Sequence, residues 1–155
     1  MTRRLQDEIK QRRPFGSLEE EVTLGLARTA DALARAGEEV LRGSGLTATQ
    51  YNVLRILRGA GAAGLSCGEV AGRMITRDPD LTRLLDRLEA RSLVTRARDD
   101  ADRRVVTTRI TPTGLDLLAR LDEPIQAQHR ATLGHLGGDK LRTLAQLLDE
   151  ARSAT

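Results

Sequence analysis

The stretch DPDLTRLLDRLEARSLVTRARDDADRRVVTTRITPTG, residues 78–114, changes its hydrophobic period halfway along. In its first part Leu81, Leu84, Leu85 and Leu88 follow the i, i+3, i+4, i+7 spacing that gathers apolar side chains on one face of an α-helix. Thr82, Arg83, Asp86 and Arg87 fall on the opposite face. The pattern predicts a helix over residues 78–91, with Pro79 in the first turn, where its missing N–H costs nothing. From Leu93 to Arg96 the chain is short and apolar-rich, and residues 103–110 contain Val105, Val106, Thr107 and Thr108, whose β-branching favours a strand. The polar run 98–102 between them reads as a hairpin loop. Thr111 and Pro112 then open another helix as N-cap and first residue.

Working outward, three Ser/Thr-x-x-Glu/Gln pairs mark helix starts: Ser17 with Glu20, Thr47 with Gln50, and Ser66 with Glu69. The first helix carries Val22, Leu26, Thr29, Leu33 and Val40 near one face and ends at the Gly43-Ser44-Gly45 turn. The second buries Val53, Leu54, Ile56 and Leu57 and is stopped by Gly59 and Gly61; the third runs through Val70 to about Arg73. After the hairpin, Leu115, Leu118 and Leu121 carry a helix toward Pro124, where a kink is expected. A last helix starts around Gly138-Asp139 with Leu141, Leu144, Leu147 and Leu148 on one face. Ahead of all this, residues 1–16 hold Arg3, Arg4, Lys10, Arg12 and Arg13, a basic arm or short helix. The predicted architecture is mainly α with a small β-hairpin.

At 155 residues the chain is about one domain long, with no room for a regulatory domain beside a catalytic one. Phe15 and Tyr51 are its only aromatic residues, so the core is built from Leu, Val, Ile and Ala, which favours packed helices. Net charge is only +3, but Lys10 and Lys140 are the only lysines, so the positive charge is nearly all arginine. The guanidinium fork pairs bidentately with phosphate or guanine. GC-rich coding also enriches arginine, so position has to decide its meaning. One cysteine, Cys67, excludes an internal disulfide framework and fits a reducing compartment. No apolar run approaches a membrane span, and the charged N-terminus lacks a signal-peptide core, which points to the cytoplasm.

Three helices followed by a two-stranded hairpin are the parts of a winged helix-turn-helix. In such a module the third helix lies in the major groove, where each base pair shows a distinct donor and acceptor pattern. The hairpin reaches phosphates or a narrow minor groove that attracts arginine. Ten arginines lie from Arg73 to Arg109, but so do seven acids, so the charge has to be sorted in space, with acids orienting arginines.

These residues resemble the MarR family, the multiple-antibiotic-resistance regulators, over about residues 46–121. The resemblance rests on Leu46-Thr47 with Gln50 and Val53-Leu54, on residues 80–89 (DLTRLLDRLE), on Leu93-Val94, on Asp102-Arg103-Arg104, and on residues 110–114 (ITPTG). It implies a homodimer whose first and last helices intertwine, binding double-stranded DNA at a pseudo-palindromic site as a transcriptional regulator, a repressor by expectation. It divides the chain into an N-terminal arm and dimerisation helix (1–45), the winged helix-turn-helix (46–111) and C-terminal dimerisation helices (112–155). It makes residues 78–91 the recognition helix and 96–109 the wing. Thr82 and Arg83 match positions that face DNA, and Arg104 matches the wing-tip arginine that enters the minor groove. Arg77, Arg87, Asp102 and Arg103 complete the candidate DNA-binding set, with Asp102 orienting the wing. A small-molecule effector between the dimerisation and winged-helix regions is also implied, whereas no cofactor and no membrane partner is.

Two positions depart from the family pattern. Ser92 stands where glycine is usual after the recognition helix, a place that often needs φ > 0. Asp80 is acidic near the recognition-helix start, where it complements the helix dipole or accepts from a cytosine amine, the dipole role being preferred. Against the DNA roles stand plain surface pairings, such as Arg83 with Asp86. Cys67 reads as a small buried residue rather than a redox sensor. His129 and His135 are six residues apart, which is wrong for a shared helical face, so they do not suggest a zinc site. The glycines from Gly59 to Gly64 lack the Lys-Ser/Thr ending of a phosphate loop and read as a turn. Without a catalytic constellation an enzyme is not expected. The rival reading is a winged helix for protein–protein contact, in which Arg83 and Arg104 are dispensable.

Overall fold

A computed structural model of the chain describes residues 4–153, so Arg3 of the basic arm lies outside the described residues. The described chain forms two compact units, one ending at Ala36 and one beginning at Gly37. The first contains a short helix α1 (Leu5–Glu8) and the larger part of α2 (Leu18–Leu41). At the start of α2 the Glu20 N–H donates to Ser17 Oγ at 3.1 Å, but the Glu20 carboxylate takes the Gly16 N–H at 2.6 Å instead of closing the box on Ser17. Val22 and Leu26, on the helical face that the periodicity marks, are exposed, and so is Leu18 at the helix start.

From Gly37 onward the chain builds the winged helix-turn-helix. After α2 come a 3-10 turn (Arg42–Ser44), α3 (Ala48–Ala60), β1 (Leu65–Ser66), α4 (Cys67–Arg73) and α5 (Leu81–Ala90). Then follow β2 (Val94–Arg98), β3 (Val106–Ile110), α6 (Pro112–Leu133) and α7 (Gly137–Ser153). The capping boxes of α3 and α4 both close: Thr47 with Gln50, and Ser66 with Glu69, exchange side-chain and backbone hydrogen bonds. Those bonds to the Ser66 backbone and hydroxyl hold the Glu69 carboxyl below its ordinary range.

Leucine spacing decides how α5 sits. Leu81, Leu84, Leu85 and Leu88 are buried with Val53, Leu54 and Leu57 of α3, Val70 of α4 and Leu118 of α6. Burying one such side chain is worth about 1.5–3 kcal/mol, so a stripe of them sets the rotation of a short helix and leaves its other face outward. The sheet is antiparallel in the order β1-β3-β2, with Val94 opposite Ile110 and Arg98 opposite Val106. Strand β1 was not predicted. Its residues Leu65 and Ser66 pair with Thr108 and Thr107, and so short a segment leaves no alternation to read.

Several boundaries differ from expectation. The recognition helix begins at Leu81 rather than 78, because the Asp80 carboxylate caps it by accepting the Arg83 N–H at 3.3 Å. Pro79 therefore lies ahead of the helix, where Asp78 Oδ1 accepts the Asp80 N–H at 2.8 Å in a local turn. Gly59 is inside α3 rather than ending it. In α6 the buried residues are Gly114, Leu117, Leu118, Leu121 and Ile125, while Leu115 is exposed. That helix runs past Pro124 to Leu133 as a single element. On α7, Leu147 is exposed and Leu141, Leu144 and Leu148 are half-buried. No helix among the described residues is long and apolar enough to cross a membrane.

The wing leaves α5 through a sharp reversal at Ser92. Its φ is 57°, the left-handed region, and the reversal is closed by Ser92 N–H to Glu89 O at 2.8 Å and Leu93 N–H to Leu88 O at 3.0 Å. Thr111 ties the far side of the wing to the same point, its Oγ1 donating to Ser92 O at 2.6 Å and its N–H to Leu93 O at 3.0 Å. Gly114 lets α6 approach: a Cβ there would stand 2.4 Å from the Leu93 carbonyl oxygen. A serine in the left-handed region carries a steric cost that glycine lacks. Ser92→Gly is therefore expected to raise unfolding stability by up to about 1 kcal/mol. Urea denaturation monitored by circular dichroism measures this, and a loss of stability would contradict the strain.

Candidate nucleic-acid interface

The outward face of α5 presents Thr82, Arg83, Asp86 and Arg87, all exposed. Arg83 and Arg87 line a groove of about 310 Å³ with Thr47, Thr49 and Gln50 at the start of α3 and with Asp78 and Asp80. Arg83 reaches Asp80 at 3.3 Å with 76% of its side chain exposed. At such exposure the pair is worth little, so the guanidinium is held in place yet available to a stronger anion. Asp80 thus caps the helix and steadies Arg83, in line with its dipole role. The sequence had offered Asp86 as Arg83's surface partner; Asp86 instead pairs with Arg96. Arg77 is exposed in the loop ahead of α5, and neither it nor Arg87 makes an ion pair among the described residues.

The wing tip is a chain of local hydrogen bonds. Asp99 Oδ1 accepts the N–H groups of Ala101 and Asp102 at 2.7 and 3.3 Å, and Asp99 N–H donates to Val105 O at 2.9 Å. Asp102 Oδ1 accepts the Arg104 N–H at 3.0 Å and lies 4.0 Å from its guanidinium. The Arg104 side chain is 96% exposed and Arg103 is exposed beside it. Asp102 therefore shapes the turn that projects Arg104 rather than gripping its charge. The structure brings Thr82, Arg83 and Arg87 to one helix face and Asp102, Arg103 and Arg104 to one loop.

Arg96 connects these two parts. From β2 its Nε and Nη2 donate to Glu89 Oε2 at 3.0 and 2.6 Å, its N–H donates to Glu89 Oε1 at 3.1 Å, and Nη2 reaches Asp86 Oδ1 at 2.5 Å. Only 23% of the Arg96 side chain is exposed. The hydrogen bond to Glu89, seconded by the one to Asp86, outweighs burial and holds the guanidinium charged above its ordinary range. In the sequence Arg96 is only one of the arginines of the expected wing. A signal was present: Arg96 is two residues from buried Val94, and so on the same strand face, opposite acids three apart on α5.

A second bidentate pair, Arg58 to Asp122 at 2.9–3.0 Å, joins α3 to α6. Half-burial raises the Tyr51 hydroxyl's pKa beside this pair. Cys67 is exposed as the first residue of α4, where burial had been expected; the Ser66 cap places it at the helix entrance rather than in the core. Among the described residues no cluster of three or more metal-ligating His, Cys, Asp or Glu side chains forms.

A helix with a dry leucine face and an arginine-bearing outer face, braced to a hairpin with an arginine tip, suits two-groove contact with duplex DNA. Comparison with known proteins agrees. The family model described as MarR family matches residues 46–106. A MarR transcription factor from Planctomyces limnophilus is 42% identical, the match covering 88% of this chain and 98% of that one, with a TM-score of 0.69. Bordetella bronchiseptica BpsR, solved in a study of how 6-hydroxynicotinic acid regulates its DNA binding, is 26% identical over 92% of this chain and 100% of its own, with a TM-score of 0.80. A mutant MarR from E. coli, solved in complex with operator DNA, is 27% identical over 88% of this chain and 99% of its own, with a TM-score of 0.76. MarR-family proteins are dimers and are not enzymes. These relatives set aside the reading as a winged helix for protein contact alone. The chain belongs to the MarR family of DNA-binding transcriptional regulators.

Proposed function

We propose that this chain is a cytoplasmic, ligand-responsive repressor that reads a pseudo-palindromic operator as a homodimer. The observation that carries the reading is the division of α5 into a buried leucine stripe and an exposed face bearing Thr82, Arg83 and Arg87. In this reading Thr82 and Arg83 contact base edges in the major groove, and Arg77 and Arg87 hold phosphates. Arg104, with Arg103 beside it, enters the flanking minor groove from the turn that Asp102 shapes. The winged helix-turn-helix is residues 46–111, and residues 1–45 and 112–155 supply the dimer contacts. The exposed Leu18, Val22 and Leu26 of α2 and Leu147 of α7 support that assignment, since each is an apolar group still in need of cover.

An open groove of about 560 Å³ in the larger unit supports the effector reading. Its walls include Val40, Leu93, Leu117 and Leu121 as apolar surface, with Arg91 and Arg120 as charge. That lining suits a small apolar molecule with an anionic group; no aromatic side chain is there to stack on it.

Selection from a random duplex pool at near-physiological salt tests the reading. An inverted repeat with half-sites about one helical turn apart is expected. A folded dimer that enriches no inverted repeat would overturn it. On the selected site, Arg104→Ala should weaken binding by about tenfold and lower the salt slope by roughly one, with thermal stability near wild type. Unchanged affinity would remove Arg104 from the interface.

The brace gives a separate expectation. Arg96→Ala leaves Asp86 and Glu89 unpaired beside the DNA-facing surface. It should cost about 1–3 kcal/mol of stability and weaken operator binding by at least tenfold. Denaturation and fluorescence anisotropy measure the two, and wild-type affinity in the variant would show that the wing needs no brace.

A further inference from the structure

Arg91 follows the last residue of α5, and its guanidinium is bonded outside the winged-helix core. Nη1 donates to Gly45 O at 2.9 Å and Nη2 to Ser44 O at 2.9 Å. Both carbonyls belong to the turn that ends α2, where unpaired carbonyls and the helix dipole concentrate negative charge. Gly45 has φ 69°, and a Cβ built there would stand 3.6–3.8 Å from Arg91 Nη1, Nη2 and Cζ, in van der Waals contact with the guanidinium. Two parallel hydrogen bonds from one planar fork fix direction as well as distance.

Asp80 caps the start of α5, Ser92 closes its end, and the leucine stripe shares one core with Leu118 of α6 and with Leu41, the last residue of α2. Arg91 adds to that apolar packing a directional polar tie from the C-terminal end of α5 to the turn that ends α2, the long helix assigned above to the dimer. We propose that Arg91 is a positioning residue for operator recognition: its bidentate tether to the Ser44 and Gly45 carbonyls sets the half-site spacing that the dimer accepts. This rests on the dimeric reading above.

The physical requirement is stiffness. Inserting one base pair between half-sites moves one of them by about 3.4 Å and turns it by about a tenth of a revolution. A dimer distinguishes such sites only if each recognition helix is firmly held relative to the dimerising helices. A slack joint lets both helices follow displaced grooves, and discrimination fades. The tether is exposed, so its loss costs little folding stability and the variants remain foldable.

The test uses full-length protein and duplexes carrying the selected inverted repeat with its spacer changed by one and two base pairs in each direction. Affinities are measured for wild type, Arg91→Ala and Arg91→Lys, with dimer mass checked by sedimentation. Wild type should lose at least about tenfold in affinity per base pair of altered spacing, the scale of about 1.4 kcal/mol. Arg91→Ala should narrow the wild-type affinity ratio between spacings by about two- to fivefold while staying a dimer, the scale of one exposed charge-assisted pair. Arg91→Lys keeps the charge but not the fork, and should fall between the two. A purely structural role would lower all affinities together and leave their ratios alone. Wild-type ratios in a dimeric Arg91→Ala, or in Arg91→Lys if the alanine variant does not fold, overturn the proposal. A wild type indifferent to spacing would overturn it together with the dimeric reading, and that failure is visible before any variant is made.

Discussion

One guanidinium, that of Arg96, joins the recognition helix to the wing, and the DNA-binding geometry depends on it. A two-stranded hairpin is marginal by itself. Here its edge strand β2 is fastened to α5 by bonds from Arg96 to both Glu89 and Asp86. The same bonds neutralise acids that would otherwise face a polyanion. Four of the seven acids interspersed with ten arginines from Arg73 to Arg109 thereby find a use with arginine. Asp86 and Glu89 hold Arg96, Asp80 steadies Arg83, and Asp102 shapes the turn before Arg104. Arg77, Arg87 and Arg103 form no ion pair among the described residues and stay exposed, and Asp100 is exposed at the tip.

Behind that surface the order is set by packing. The leucines of α5 meet α3, α4 and α6, so the helix cannot rotate without exposing apolar area. Ser92 ends the helix in a left-handed turn, and Thr111 and Gly114 bring α6 against the same junction. Recognition helix, wing and α6 therefore share one junction at Ser92 and Leu93.

Most of this framework was legible in the sequence because it is periodic or capped. The leucine spacing gave α5 its buried face, the Thr47 and Ser66 boxes marked two helix starts, and the missing glycine at Ser92 pointed to its positive φ. Where two local signals competed, the reading slipped. Pro79 and Asp80 both suit a helix start, and the carboxylate won by bonding the Arg83 N–H. Leu115 matched a helical spacing, yet the buried face of α6 is set by Leu117, Leu118 and Leu121. Strand β1 has two residues and no period. The tether of Arg91 was illegible for another reason: it joins residues on different elements, and no repeat within one element records such a meeting, whereas Arg96 at least shares a strand face with Val94. Arg91 and Ser44, 47 positions apart, carry no mutual mark in the chain.

The central claim is that α5 and the wing contact two grooves at once as a braced unit. Methylation interference on the selected operator tests it directly, because guanine N7 lies in the major groove and adenine N3 in the minor. The account predicts that N7 methylation within each half-site blocks binding, and that N3 methylation just outside each half-site blocks it too. Interference confined to guanine N7, with methylated flanking adenines bound as well as unmodified ones, would contradict it.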